Sequence, residues 1–165
     1  MPLTRDDLMA KLAALGIATT TVDHPPLFTV EQSQALRGEI PGAHTKNLFL
    51  KDKKDALFLV TAPEDAELDL KHIHHLIGAS GRVSFGRPEV LLEILGVPAG
   101  AVTPFAALND AAGRVTVVLD AGLMESGAIN CHPLVNTATT TIAAVDLLTF
   151  LRATGHEPRI VPLGG

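Results

Sequence analysis

The sequence predicts an α+β fold, a single domain in which strands and helices are mixed along the chain. Three observations carry that expectation. The 165 residues are enough to close one substantial core without staples. Short apolar, β-branched runs alternate irregularly with helix-period segments, which disfavours a doubly wound sheet. No "GxGxxG" or "GxxxxGK[ST]" occurs, so dinucleotide and P-loop architectures have no motif behind them. The domain is expected to run from 1 to 165, with no internal repeat or low-complexity segment.

The elements follow in order. Thr4 caps a first helix, with Asp7 three residues on, a buried stripe of Leu8, Leu12 and Leu15, and Gly16 as its stop. "ATTTVD" is a β-branched strand ended by His24-Pro25-Pro26. A short helix is expected from about Val30 to Arg37, with Thr29 as its cap, before a Gly38–Gly42 turn. "LFL" and "ALFLV" form a strand pair around the charged tip "KDKKD", with Thr45-Lys46-Asn47 just ahead of the first strand. "LDLKHIHHLIG" reads as a helix capped by Asp69 and closed by Gly78. "GRVSF" is a short strand, and "RPEVLLEILG" a helix with Pro88 near its first position. "GVPAGAVTPFAALND" is a long Gly/Pro-punctuated connection of the kind that carries binding surfaces. "GRVTVVLD" is the most apolar strand, "GLMESGAINCHPLVN" a turn, a strand and a turn, and "TATTTIA" a further strand. "AVDLLTFLRATG" is the last helix, and "PRIVPL" adds an edge strand.

Composition excludes several classes. No apolar run approaches the roughly 20 residues of a membrane span, and the acidic, helix-period N-terminus is unlike a signal or transit peptide. A cytoplasmic protein is expected. The single Cys131 excludes an internal disulfide and a Cys-based zinc cluster. A net charge of −5, with no Trp or Tyr, disfavours a broad basic surface or a base-stacking sheet, so any nucleic acid would be gripped at few points, as an end is. His72, His74 and His75 suggest a metal. On a helix only His72 and His75 share a flank, and no third ligand is evident. Cys131 and His132 are adjacent and so face opposite ways on a strand, which opposes a nucleophile–base pair. "MESGA" is not a "GxSxG" elbow, which leaves Ser126 without a hydrolase signature. Lys46 beside an amide is either a solvated strand-end charge or a ligand-holding one. "SGAINCHPLVN" is either a tight turn or a ligand cradle of backbone N–H groups and an imidazole.

Three stretches taken together, "HTKNLFLKDKKDALFLV", "GRVSFGRPEVLLEILGVPAGAVTPFAALND" and "GAINCHPLVNTATTTI", resemble the prolyl-tRNA editing domains, the YbaK/ProX-type aminoacyl-tRNA deacylases, and most closely their freestanding ProX type. The resemblance runs from about Leu8 to Leu148. It implies a mixed, barrel-like sheet ringed by helices, and an activity that hydrolyses the ester joining a wrong amino acid to the 3′-terminal adenosine of proline tRNA. The expected amino acid is alanine, with cysteine as the alternative. A non-catalytic module that recognises an aminoacyl end is the competing class. Carried over by position, the important lysine is Lys46, the glycine loop falls on Gly127, and His132 continues it as a third catalytic residue. Thr45, Asn47, Ser126, Ala128 and Pro133 are expected to bind substrate. No metal and no cofactor are implied. The expected partners are the mischarged proline tRNA acceptor end and prolyl-tRNA synthetase.

Overall fold

The computed structural model describes residues 2–26 and 40–163. The expected Val30–Arg37 helix and its Thr29 cap lie outside the described residues.

Helix α1 (Arg5–Ala14) starts from a capping box. The Thr4 side chain accepts from Asp7 N, the Asp7 carboxylate accepts from Thr4 N, and Leu8 and Leu12 are buried. Strand β1 is Thr19–Asp23, and β2 (Ala43–Lys51) and β3 (Leu57–Pro63) form the hairpin. Thr45, Lys46 and Asn47 lie inside β2 and not ahead of it, because the ladder to β3 already includes Thr45↔Pro63. Asp52 builds the charged tip. Its carboxylate accepts from Lys54 N, Ala56 N and Ser80 N at 2.8–2.9 Å. Burial pushes the Asp52 pKa up, but those three backbone donors outweigh burial and hold it below its usual value.

Helix α2 is only Ile73–Ile77, capped by His72 and closed by Gly78 in the left-handed region. Asp69 takes part in the preceding turns: its carbonyl accepts from His72 N and Ile73 N, and its carboxylate accepts from Lys71 N. The helix is therefore shorter than the sequence suggests. Strand β4 is Ser84–Phe85, and α3 (Pro88–Leu95) begins on Pro88 and stops at Gly96. The long connection carries two 3-10 turns, Ala99–Ala101 and Pro104–Asn109. Then come β5 (Val115–Asp120), α4 (Ala121–Met124), β6 (Ala128–Cys131), β7 (Ala138–Ala143), α5 (Ala144–Ala153) and β8 (Arg159–Val161).

The strands form one eight-stranded mixed sheet in the order β1-β7-β6-β2-β3-β5-β8, with β4 also on β2. This is the mixed, helix-flanked single domain expected. Strand alternation sends Leu57, Leu59 and Phe49 to the larger core, built with Leu8, Leu95, Phe105, Leu147 and Phe150. Leu50, Phe58, Val60 and Ala62 go to a smaller core on the opposite face, under Ile73 and Ile77 of α2.

Candidate active site

The sheet has an opening in its middle. On one side β2 is zipped to β3 from Thr45 to Lys51. On its other side β6 pairs only with Ala43 and His44, and β4 only with Leu50 and Lys51. Glu64 N donates to the His44 carbonyl, so the even-numbered residues of β2 turn their backbone groups toward β3. Gly86 N donates to the Phe49 carbonyl, so the odd-numbered ones turn away. The backbone N–H and C=O of Asn47 therefore face the gap between β6 and β4, where no strand among the described residues pairs with them.

The side chains of "TKN" divide between the two faces. Lys46 is half-buried, shares its face with Ala62, and donates from Nζ to the Ala66 carbonyl. A cleft of about 320 Å³ lies at the start of β2 and the end of β3, lined by Gly42, Ala43, His44, Pro63, Glu64 and Asp65. Thr45 and Asn47 point to the other face. Thr45 Oγ1 donates to the Asn130 carbonyl at 2.7 Å, and Asn47 Oδ1 accepts from the Thr61 hydroxyl at 2.6 Å. Their side chains brace β2 against β6 and β3, while Lys46 stands on the opposite face with Ala62.

His132 lies one residue past the end of β6. His44 and Asn130 are Cα partners on one face, and Lys46 and His132 each follow two residues later, past the last β2–β6 pair. His132 Nδ1–H donates to the Ala138 carbonyl at 3.0 Å. Burial lowers the His132 pKa, the Ala138 bond opposes this, and nearby His24 lowers it further, so the ring is held neutral. Nε2 then carries a lone pair with no hydrogen-bond partner among the described residues. The turn after it is unusual: buried Leu134 has φ 68°, a region few non-glycine residues adopt. A Cβ on Gly100 would lie 3.4 Å from Asn136 Nδ2, so the Gly/Pro-punctuated connection packs against the "HPLVN" turn. Pro133 is buried in that turn.

Two residues that carry this arrangement were not singled out from sequence. Asn130 is 3% exposed. Its Nδ2 donates to the carbonyls of Pro41 and Ala43, and its Oδ1 accepts from Thr141. Its only sequence signal is an amide inside an apolar strand. His24 was read as a strand stop. In the structure its Nδ1–H donates to the Pro25 carbonyl, and its Nε2 accepts from the Thr139 hydroxyl at 2.8 Å.

Gly127 lies in the turn just before β6, five residues before His132. Its φ is 79°, a region that favours glycine, and a Cβ there would meet nothing within 4 Å. Its carbonyl accepts from Ala144 N, and Ser126 Oγ donates to the Gly122 carbonyl. Ala128 lines a separate shallow hollow of about 260 Å³ with Thr19, Thr20 and Ile142. Ser126 and Gly127 thus form the turn into β6, and Ala128, its first residue, lies against Gly42, where a Cβ would come 3.1 Å from the Ala128 carbonyl.

Cys131 is 3% exposed, and burial pushes its thiol up to about 12, with a weak opposing contact from Thr45. Such a thiol is not a nucleophile at neutral pH. His72 and His75 do share a flank, with ring centroids 6.5 Å apart, and His72 bonds Asp69. Among the described residues no cluster of three or more His, Cys, Asp or Glu is placed to hold a metal, and no helix is long and apolar enough to cross a membrane.

A half-buried lysine on β2, backbone groups of β2 that no strand among the described residues pairs with, and a half-buried imidazole just past β6 are set in a mixed sheet. The chain belongs to the aminoacyl-tRNA editing domain family, whose model matches residues 24–150. It is 42% identical over 159 residues to the prolyl-tRNA synthetase associated domain-containing protein 1 of Danio rerio, covering 95% of this chain and 86% of that one. It is 34% identical over 157 residues to the prolyl-tRNA editing protein ProX of Acetoanaerobium sticklandii, covering 94% and 95%. A solved structure described as a candidate trans-editing enzyme for prolyl tRNA synthetase superposes with a TM-score of 0.69 at 19% identity, covering 97% of both chains, and so shares the fold. The prolyl-tRNA editing family that the motifs resemble is the family found.

Proposed function

We propose that the protein is a trans-editing hydrolase that removes alanine from mischarged alanyl-tRNA(Pro). The observation that carries the reading is the opening in the sheet at Lys46–Leu48, flanked by a cationic and a neutral proton-accepting side chain. An aminoacyl ester is already activated, so positioning and charge stabilisation supply most of what its hydrolysis needs. The Lys46 ammonium leaves the Ala66 carbonyl and donates to the ester carbonyl or the terminal phosphate. The Asn47 N–H, facing the gap, donates to the oxyanion. The Gly127 loop is the donor set that the family resemblance implies for the same role. Glu64 and Asp65, which line the cleft, complement the cationic α-amino group of the substrate.

A water oxygen adds to the carbonyl carbon, and its proton goes to His132 Nε2 or the vicinal ribose hydroxyl. The carbonyl carbon–ribose oxygen bond then breaks, and that proton passes to the leaving oxygen. Free alanine and deacylated tRNA result. Editing is needed because a pocket shaped for proline rejects a smaller side chain by only about 1–3 kcal/mol, whereas a second site too small for proline excludes it sterically.

The test is deacylation of alanyl-, cysteinyl- and prolyl-tRNA(Pro) with the protein far below substrate concentration. Multiple turnovers of the alanyl ester, with prolyl ester spared, support the proposal. Preferential loss of cysteine reassigns the substrate. Protection of the ester in proportion to protein, without turnover, makes the chain a recognition module and overturns the mechanism.

A further inference from the structure

Five of the six phenylalanines of this chain lie among the described residues, and four of these are buried: Phe49 and Phe58 at 4% and 3% exposure, and Phe105 and Phe150 at 0%. Phe85 is 59% exposed. Its orientation is set by its neighbours. Phe85 is the Cα partner of Leu50, so its ring stands on the face that also carries Leu48 and Lys46. Val83, two residues earlier, is packed into the smaller core on that same face. Gly86, one residue later, lies over the Phe49 ring on the opposite face, where a Cβ would come within 2.3 Å of it. Strand β4 can neither roll nor slip a residue without losing one of these contacts, so the ring stays beyond the core's edge.

Three cations belong to this segment and to the hairpin tip tied to it. Arg82 and Arg87 flank β4 and are both exposed. Lys53 lies along Gly81, its Cδ 2.7 Å from where a Cβ would sit. Backbone bonding of Lys53 N to the Ser80 carbonyl ties the hairpin tip to this segment. An exposed ring on a segment that carries two exposed arginines and is tied to Lys53, on a protein of net charge −5, matches a ligand that combines flat apolar faces with negative charge. Leu50 is four residues from Lys46 and one strand from Phe85, which places the ring about 14 Å from the lysine. That is roughly four stacked nucleotides at ~3.4 Å each.

We propose that Phe85 is a base-stacking platform for the unpaired 3′ end of the tRNA, taking a nucleobase inward of the terminal adenosine while Arg82, Arg87 and Lys53 hold the adjoining phosphates. This rests on the editing reading above and adds to it the point at which the strand is gripped. The site is specific for single-stranded ends because a paired base has no free face to offer.

The probe is an uncharged acceptor-stem hairpin carrying 2-aminopurine at one unpaired position at a time. Wild type is expected to quench the probe at an inner unpaired position. Phe85→Trp keeps the quench, and this introduced indole, the only one in the chain, is itself quenched on binding. Phe85→Leu, apolar but without a π face, loses the quench and weakens binding roughly tenfold. Replacing Arg82 and Arg87 by alanine flattens the salt dependence of binding and leaves the position of the quench unchanged. Equal quenching by wild type and Phe85→Leu, or quenching at no unpaired position, overturns the proposal. The hairpin carries no ester, so a wild-type protein that stacks the base but hydrolyses nothing defeats the editing mechanism and not this site. An active enzyme indifferent to Phe85→Leu defeats this site alone.

Discussion

His132 donates its Nδ1–H to the Ala138 carbonyl at 3.0 Å, and this one contact decides which ring nitrogen is left to accept a proton. A carbonyl only accepts, so the neutral ring carries its proton on Nδ1 and its lone pair on Nε2.

The first prediction concerns pH. Burial, helped by His24, lowers the His132 pKa below its usual 6.5. The neutral ring therefore persists below that value, and kcat/KM for deacylation is expected to stay level through pH 6.5 and to fall only at lower pH. The linked stability has the same sign: it is fully present above the unfolded value and is lost as pH falls toward the folded one. His132→Asn keeps a donor for Ala138 but has no basic nitrogen, and should cut turnover about a hundredfold. A pH–rate profile that bends above 6.5 would contradict the assignment.

Lys46→Met is expected to lower turnover about 100- to 1000-fold, the loss typical of one charge-stabilising donor. Lys46→Arg should not restore it, because a planar fork cannot reproduce a compact ammonium at a half-buried position. Thermal unfolding of both variants should stay close to wild type, which separates lost chemistry from lost fold.

Cys131→Ala should retain turnover. The thiol is 3% exposed and pushed up to about 12, so iodoacetamide at neutral pH is expected to leave the folded protein unlabelled and fully active. Labelling that tracks loss of activity would restore a thiol mechanism.

Asp110 and His156 form a buried pair at 2.8 Å, with side chains 2% and 3% exposed. Asp110 also accepts from Arg114 N and Val115 N, which fixes the start of β5, and His156 reaches Thr154 at the end of α5. His156→Ala leaves a carboxylate buried with one partner missing and is expected to cost about 3 kcal/mol in denaturant unfolding. A loss under about 1 kcal/mol would show that water replaces the imidazole.

Much of this architecture was legible in residue patterns. Thr4 and Asp7, Pro88 and Gly96, and the alternation of "GRVTVVLD" each state a local rule that the fold obeys. Asp69 misled because a helix cap and an Asx turn need the same side chain, and the turn took it. Gly127 is ambiguous for another reason. A glycine needed for positive φ and one needed for ligand approach look identical in one sequence, and here the φ of 79° accounts for the residue type while the space beside it stays open.

The sequence by itself determined the family, most of the elements and the candidacy of Lys46 and His132, because motifs, caps and strand periods are properties of residues close along the chain. Tertiary structure alone decided that Lys46 and Asn47 serve opposite faces of β2 in different roles. It also decided that β6 and β4 leave β2 unpaired between them, and that Phe85 stands exposed on the face of Lys46. Those facts depend on which strands, 33 to 86 residues away, pair with β2 and where each ladder stops. Pairing register is the outcome of the whole core closing at once, and no local stretch encodes it.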